Sequence, residues 1–358
     1  MIKKKVAILF GGRSVEHGVS INSARNIFEY IDRERFEPVP IGISTRGTWY
    51  LTTSVSKDIE QGQPLSLSLN ATKPTWKTSD KTIGFDVAFP VLHGTDGEDG
   101  SIQGVFKAMS VPMVGTGVLG SSVSMNKLTS KRLLEKADIP VAPYIAYTFA
   151  EKSSMSFETI SAKLGLPFMV KATSLGSSVG ISKVKSKEDF LPAVEEAFRY
   201  DNQVMVEKYI KGREIECAIL GNNPPEASLP GEIVISDRYE FYTFDAKYVD
   251  NTAVNIVVPA KLDPKVQEEI RRLSVKTYQA VYCEDFARID LFYADDGNIY
   301  INEINTIPGF TNSSMYPMMW KERGVSFTDL ISKLIDLCVE RYERAKRVET
   351  DFKSSLKF

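Results

Sequence analysis

Apolar and polar positions in the first third of the chain alternate in short blocks. VAILF comes first, then a helix-spaced stretch near Ile21 to Ile31, then PVPIGIS, DVAFPVLHG and VPMVG. Short apolar strands separated by helical or loop segments predict an α/β region with a largely parallel sheet. From Thr52 to Lys81 the chain turns polar and rich in Ser, Thr and Lys, which predicts a surface excursion with at most a hairpin and no motif. A Gly and Ser stretch from Gly115 to Met125 leads into a predicted helix, Lys127 to Ala137, and two strands, LPFMVKA and NQVMVEKYI. A domain boundary is expected near Ser121. A third region opens with EIECAIL, passes through an aromatic and acidic loop from Gly231 to Asn255, and ends in two strands and a helix. Phe327, Leu330, Ile331, Leu334, Ile335 and Cys338 keep helical spacing there, which predicts a core-facing stripe, with a solvated tail after Glu340.

Composition narrows the function classes. The 358 residues carry 44 basic and 46 acidic side chains, a formal charge of −2, so nothing provides the basic footprint that phosphate-backbone binding needs. Nucleic acid is not an expected partner. Cys217, Cys283 and Cys338 are widely spaced without a CxxC and read as buried thiols of a reducing compartment. With only His17 and His93 besides, a zinc site is not expected. The run Lys3 to Lys5 precedes an apolar stretch too short for a signal peptide, and no apolar run approaches the roughly 18 residues of a membrane span. The expected location is the cytosol, with no membrane partner.

The densest chemistry lies in ARIDLFYADDGNIYINEINTIPGFT. Two runs of period two, Arg288 to Tyr293 and Ile299 to Asn305, flank Asp296-Gly297, the signature of a two-residue type I′ hairpin. With that turn Asp290 lies opposite Glu303 and Arg288 opposite Asn305, all on one face. Like charges across strands are destabilising. A hard cation between them reverses the sign, and two carboxylates plus an amide oxygen are ligands that Mg²⁺ accepts. A solvated polar face satisfies the same alternation. The sequel NTIPGFT favours the site, because Gly309 allows close backbone approach and Thr311, Ser313 and Ser314 add hydroxyls.

Oxygen ligands for a metal imply a phosphate partner. Lys171 ends the strand PFMV and is followed by SLGSSVG, a loop able to fold over phosphates, although GxxxxGK[ST] is absent. Lys127 follows a Ser/Gly-rich stretch, and alone it reads as an ordinary helix charge. VEKYIKGRE offers Glu207 and the backbone of Lys208 to Ile210 as an adenine-binding connection; by itself a surface strand edge fits as well. Gly115, Gly117 and Gly120 spell GxGxxG without a well-placed ribose-binding acid, so no dinucleotide site is assigned. Near the N-terminus GGRSVEHGVS carries Glu16 and His17, and LHGTDGEDG carries His93, each after a strand where an open α/β sheet places ligands. Glu16 is suited to a substrate ammonium group. Glu98 and Asp99 can equally serve as helix caps.

Taken in order, GGRSVEHGVS, LHGTDGEDGSIQG, SVSMNK, PFMVKATSLGSSVG, VEKYIKGREIECAIL, DAKY, ARIDLF and INEINTIPGFT resemble the D-alanine:D-alanine ligase family of the ATP-grasp superfamily, from roughly Val6 to the final helix. The resemblance implies three parts: an N-terminal α/β substrate domain (1–121) of Rossmann-like type, a central ATP-grasp subdomain (122–213), and a C-terminal subdomain (214–358) carrying a mobile loop, 231–255, and the metal site. ATP would phosphorylate the carboxylate of one D-alanine, and the amine of a second would attack the acyl phosphate. By similarity, Lys127, Lys171 and Lys247 contact phosphates, with Ser177 in the phosphate loop. Glu207, Lys208, Ile210 and Glu214 surround adenine and ribose. Asp290, Glu303 and Asn305 bind two Mg²⁺ ions, with Mn²⁺ able to substitute. Arg288 and the Gly309 N–H stabilise the oxyanion, Glu16 holds the first ammonium with His93 nearby, and Ser314 with Met315 holds the second D-alanine. Tyr248 and Ser177 are hydrogen-bonded to Glu16, and Tyr248 favours D-alanine over D-lactate. Ala172 and Gly18 depart from the family's usual proline and acid at positions with no proposed chemistry. The family also implies a homodimer. A D-lactate or D-serine ligase, and a non-catalytic ATP-binding protein, are the alternatives.

Overall fold

The computed structural model describes residues 3–69, 75–176, 179–236 and 254–349; Ser177, Lys247 and Tyr248 fall outside them. The N-terminal part runs β1 (Lys4–Gly11), α1 (His17–Tyr30), β2 (Phe36–Ile43), β3 (Trp49–Leu51), β4 (Gln63–Pro64), β5 (Ser66–Ser68), β6 (Thr75–Lys77), β7 (Thr82–Ile83), β8 (Val87–Pro90), α2 (Ser101–Ala108) and α3 (Val118–Met125). Its main sheet has the order β4-β3-β2-β1-β8, with β1 parallel to both neighbours. VAILF is apolar throughout because both faces of β1 are covered. Val6, Ile8 and Phe10 join a core with α1 and the C-terminal helices, while Ala7 and Leu9 pack with Phe106 and Trp76 on the other side.

Three local expectations change. VPMVG contributes only an isolated bridge, Met113 to Ala88. The polar stretch holds β4, which joins the main sheet, and also the hairpin β5-β6, which β7 just beyond it extends to three strands. Trp76 anchors it, stacked on Phe106 with ring centroids 5.9 Å apart and edge-on to Phe85. The Gly and Ser stretch ends in α3, where Gly120 is required by a close approach: a Cβ would stand 2.3 Å from the Tyr282 carbonyl oxygen. In the same GxGxxG run, the N–H groups of Gly115 and Gly117 donate to the carboxylates of Asp285 and Glu284.

The central part comprises α4 (Lys127–Lys136), β9 (Tyr144–Thr148), α5 (Phe157–Leu164), β10 (Phe168–Ala172), β11 (Ile181–Val184), α6 (Lys187–Tyr200) and β12 (Gln203–Lys208). Its antiparallel sheet has the order β11-β10-β12-β9. The last part holds β13 (Gly212–Leu220), β14 (Glu226–Ala227), β15 (Gly231–Ile235), β16 (Val254–Val257), α7 (Pro264–Ala280), β17 (Phe286–Ala294), β18 (Ile299–Asn305), α8 (Met315–Lys321) and α9 (Phe327–Ala345). The order there is β16-β15-β13-β17-β18, with β14 beside β13. The predicted loop 231–255 thus begins and ends as paired strands.

The hairpin β17-β18 pairs Asp290 with Glu303 and Arg288 with Asn305, although its turn differs from the expected one. Ala294 N–H donates to Asn298 O (2.8 Å) and Gly297 N–H to Ala294 O (2.9 Å), with Gly297 at φ +84°. The loop therefore has three residues, and Leu291 pairs with Ile301, one position off the two-residue register. A β-bulge at Asn302 takes up the extra residue and restores the predicted pairing at the site.

Helix α9 buries Leu330, Ile331, Leu334, Ile335 and Cys338 as expected. It continues past Glu340 to Ala345, and residues 343–349 are exposed as expected, while Arg341 turns inward. The Arg341 guanidinium donates to both carboxylate oxygens of Asp285 and to the carbonyls of Met113 and Gly115. All three cysteines are buried and free, and burial pushes the thiol pKa of Cys217 up to about 11 and of Cys283 up to about 12.

Candidate active site

Two cavities adjoin on the six-stranded sheet. The first lies between it and the central sheet. Strand alternation builds its wall: Phe168 and Val170 of β10, and Val204 and Val206 of β12, face the central core, which turns Lys171 and Glu207 to the cavity side. Helix α4 adds Lys127 and Lys131, four residues apart and therefore on one face. Glu207, 1% exposed, sits 2.5 Å from the Lys131 ammonium and accepts from Lys171 on its other oxygen. Burial alone would raise the Glu207 pKa, but the two lysines outweigh it and hold the carboxyl below its ordinary value. Lys127 Nζ donates to the Leu175 carbonyl (2.6 Å) and stands 3.4 Å from Glu303 Oε2. Lys208 turns its side chain outward while its N–H donates to Pro143 O (2.8 Å), and Lys208, Ile210 and Glu214 all line the cavity. Lys127 and Lys171 line the cavity and Lys131 stands behind Glu207, so this wall presents cationic groups to a polyanion.

Opposite it, Glu216 of β13, Asp290 of β17 and Glu303 of β18 form a row of cross-strand neighbours. Arg288 offsets their repulsion. Its Nε and Nη2 fork onto Asp290 Oδ1 and Oδ2, each at 2.7 Å, and Nε lies 3.0 Å from Glu216 Oε2. Asn305 Nδ2 donates to Asp290 Oδ2 (2.8 Å). The donor set of Asp290, Glu303 and Asn305 fits a hard divalent cation, being two carboxylates and an amide on one cavity wall. To bind a cation there, Asp290 must give up part of the Arg288 fork, and Asn305 must present its oxygen.

The second cavity brings together Glu16, His93, Glu98, Gly176, Arg288, Asn305, Gly309, Ser314 and Met315. Glu16 precedes α1 and is 8% exposed. Gly94, at φ +73°, leaves it room, since a Cβ would stand 2.7 Å from Glu16 Oε2. A Cβ on Gly176 would lie 3.6 Å from the same oxygen, so the Gly-rich loop after β10 reaches Glu16. Ser314 Oγ accepts from Thr311 N–H (3.0 Å), while the Met315 side chain is buried in the core, leaving its backbone to the cavity. Gly309 is not in the left-handed region, and a Cβ would meet only Ser314 Oγ, at 3.3 Å.

The two histidines differ from each other. His17 bonds the carbonyl of Gly12 in its own turn (2.7 Å) and does not line the cavity. His93 lines it, yet both ring nitrogens are committed to protein: Nδ1 to the Ile307 carbonyl (2.8 Å) and Nε2 to the Ser23 hydroxyl (3.0 Å). A carbonyl only accepts, so Nδ1 carries the proton. Burial lowers the pKa and keeps the ring neutral. Of the two acids weighed as caps, Asp99 accepts from Ser101 N–H at the start of α2 (2.9 Å). Glu98 turns inward and accepts from Gly94 N–H (2.8 Å) and Ile307 N–H (3.0 Å). Burial, then the Glu16 charge, push its pKa up to about 8 against the pull of those donors.

Lys131, Glu216, Glu98 and Asn302 enter the site without having been assigned to it from sequence. Lys131 follows Lys127 by one helical turn, and Glu216 follows Glu214 by one strand period, so periodicity contained both. Asn302, whose Oδ1 lies 3.4 Å from Lys171 Nζ, depends on the bulge and left no such signal.

A cavity with lysines on one wall and carboxylates on the other, meeting an acid-and-arginine cavity along one sheet, has the layout of an enzyme that activates a carboxylate with a nucleotide, and the fold around it is that of an ATP-grasp ligase. Residues 5–116 match the family model for the D-ala D-ala ligase N-terminus, and residues 133–336 that for the D-ala D-ala ligase C-terminus. The D-alanine--D-alanine ligase of Shouchella clausii is 44% identical over 98% of both chains. The D-alanine-D-alanine ligase from Coxiella burnetii superposes with a TM-score of 0.85 at 35% identity, covering 96% of each chain. The VanG D-Ala:D-Ser ligase from Enterococcus faecalis gives 0.86 at 36%, covering 94% of this chain and 100% of that one. The chain belongs to the D-alanine–D-alanine ligase family.

Proposed function

We propose that the chain joins two D-alanine molecules into D-alanyl-D-alanine, a peptidoglycan building block, while ATP becomes ADP and phosphate. The observation that carries this is the shared wall: Glu216, Ile233 and Glu303 line both cavities, so a nucleotide in one and an amino acid in the other meet beside Arg288 and Glu303. In the first step a D-alanine carboxylate oxygen attacks the γ-phosphorus and ADP leaves. In the second the amine of another D-alanine attacks the acyl carbon, phosphate departs with the C–O electron pair, and the amine's proton is released.

Transfer of this kind depends on charge neutralisation and positioning more than on covalent help from the protein. Lys127, Lys171 and Lys247 are assigned to the phosphates, with Ser177 in the loop above them. Glu207, Lys208, Ile210 and Glu214 are assigned to adenine and ribose. Asp290, Glu303 and Asn305 would hold two Mg²⁺ ions, replaceable by Mn²⁺, which supply positive charge beside the transferring phosphoryl group. Glu16 is assigned to the first ammonium, with Tyr248 and Ser177 as its partners. Ser314 and the Met315 backbone are assigned to the second D-alanine. Arg288 and the Gly309 N–H face the oxyanion of the tetrahedral intermediate. The parts 1–121, 122–213 and 214–358, a cytoplasmic location and a homodimer belong to the same proposal. Among the described residues no helix is long and apolar enough to cross a membrane.

The test is ADP release with D-alanine, D-serine or D-lactate in parallel, with products identified by mass spectrometry. D-alanyl-D-alanine is the expected product with D-alanine alone. Equal turnover with D-serine or D-lactate removes the specificity, and no ADP release with any of them removes the ligase reading.

A further inference from the structure

We infer that Ser23, His93 and Glu98 are positioning residues that splint the segment Ile307 to Phe310 and thereby aim the Gly309 N–H. This rests on Gly309 being the oxyanion donor of the proposed reaction.

Buried backbone N–H groups are almost always paired, so a lone one in this turn is informative. Ile307 N–H donates to Glu98 Oε1 (3.0 Å). Pro308 has none. Phe310 N–H donates to Ser23 Oγ (3.3 Å), Thr311 N–H to Ser314 Oγ (3.0 Å), and Asn312 N–H to Asn26 Oδ1 (3.3 Å). From Ile307 to Asn312, only the Gly309 N–H has no acceptor among the described residues, and Gly309 lies in the wall of the substrate cavity. The protein has taken every other donor of the turn.

Both neighbours of Pro308-Gly309 are held by the N-terminal part. On one side Ile307 is gripped twice, its N–H by Glu98 and its carbonyl by His93 Nδ1–H (2.8 Å). On the other, Ser23 accepts from Phe310 while giving its own proton to neutral His93 Nε2 (3.0 Å), so the ring links the two grips. The Phe310 ring is clamped by Phe286, Tyr316 and Phe327, with centroids 5.3 to 6.1 Å away. With both flanks fixed, the lone donor between them has little freedom, which is the preorganisation an oxyanion donor requires. The histidine, in this account, acts on the donor through the backbone rather than on the substrate.

Ser23→Ala removes the hydroxyl but keeps a good helix former in α1. Glu98→Met keeps an unbranched side chain without acceptors. Steady-state kinetics of the full-length enzyme, and its inhibition by a phosphinate analogue of D-alanyl-D-alanine in the presence of ATP, separate positioning from scaffolding. An interaction made only in the transition state lowers kcat and leaves KM alone. Each variant is expected to lose at least about tenfold in kcat, with KM for D-alanine nearly unchanged, and to bind the tetrahedral analogue more weakly by a matching factor. Retained kcat overturns the inference. So does lost kcat with unchanged inhibition, or a joint rise of KM and inhibition constant at constant kcat. If the wild-type enzyme forms no dipeptide, the ligase reading falls and the splint falls with it; a wild type that forms dipeptide beside unimpaired variants refutes the splint alone.

Discussion

At the scale of residues, the site is a set of charges that no member could hold alone. Asp290 and Glu303 stand opposite each other across β17 and β18, an arrangement that costs stability until cations intervene. Arg288 and Lys127 supply part of that compensation in the protein itself. Glu303→Gln preserves shape while removing one of the two carboxylates proposed to hold the metal ions. It is expected to lower ATP-dependent turnover by about 10² or more, the scale of losing one electrostatic contact to the reacting groups. Near-normal turnover would show that Glu303 holds no cation the phosphoryl transfer needs, and an unchanged circular dichroism spectrum would show that the fold is intact. Asp290 and Glu303 were legible in the sequence, because strand alternation places them on one face. Ser23 was not, because nothing around it in α1 announces a bond to Phe310, which is distant along the chain.

Elements translate these residues into positions, and their ends matter as much as their faces. The expected two-residue turn between β17 and β18 is a three-residue loop, and the bulge at Asn302 cancels the shift before it reaches Asp290. Register near the site was therefore predicted correctly by a turn that does not occur. Helix α4 begins at Lys127, and its N-cap, Asn126, accepts from Thr129 N–H (2.8 Å) while its amide donates to Ser174 Oγ (2.9 Å) in the phosphate-loop segment. One side chain thus sets both the helix start and the distance from Lys127 to the loop. Asn126→Ala is expected to cost about 1 kcal/mol of stability in urea unfolding and to raise KM for ATP. Asn126→Ser, which restores the cap but not the amide donor, should recover most of the stability and less of the affinity. Equal behaviour of the two variants in both measurements would refute the double role.

For the whole molecule, the question is what keeps Glu16 of the N-terminal part in register with the C-terminal sheet. One hydrophobic core runs from β1 and α1 into α8 and α9, so the two parts share their interior. The polar counterpart is the Asp285–Arg341 pair. Asp285 is fully buried, accepts from Gly115 N–H (2.9 Å) and Asn222 (2.9 Å), and lies three residues before Arg288. Burial alone would lower the Arg341 pKa, yet Asp285 holds it above the ordinary arginine value. Arg341→Met leaves that carboxylate buried without its arginine and is expected to destabilise by about 3 to 5 kcal/mol, measured by denaturant unfolding. The double variant with Asp285→Asn should recover part of this, because the stranded charge is then gone. A single variant as stable as the wild type would remove the latch.

What the sequence by itself determined was periodic and local: the buried strand VAILF, the stripe of α9, the facing carboxylates of the hairpin, and the ordered motifs that mark the family. Each follows from a side-chain period of two or 3.6, which a chain carries wherever it folds. Only the tertiary structure decided which groups meet across long separations. It turned Glu98 from a candidate cap into a backbone acceptor, tied both ring nitrogens of His93 to protein groups in the cavity wall, and bonded Arg341, in the expected tail, to buried Asp285. Contacts of that kind depend on how sheets and helices stack, and that is set by the sum of packing over the chain rather than by any local pattern.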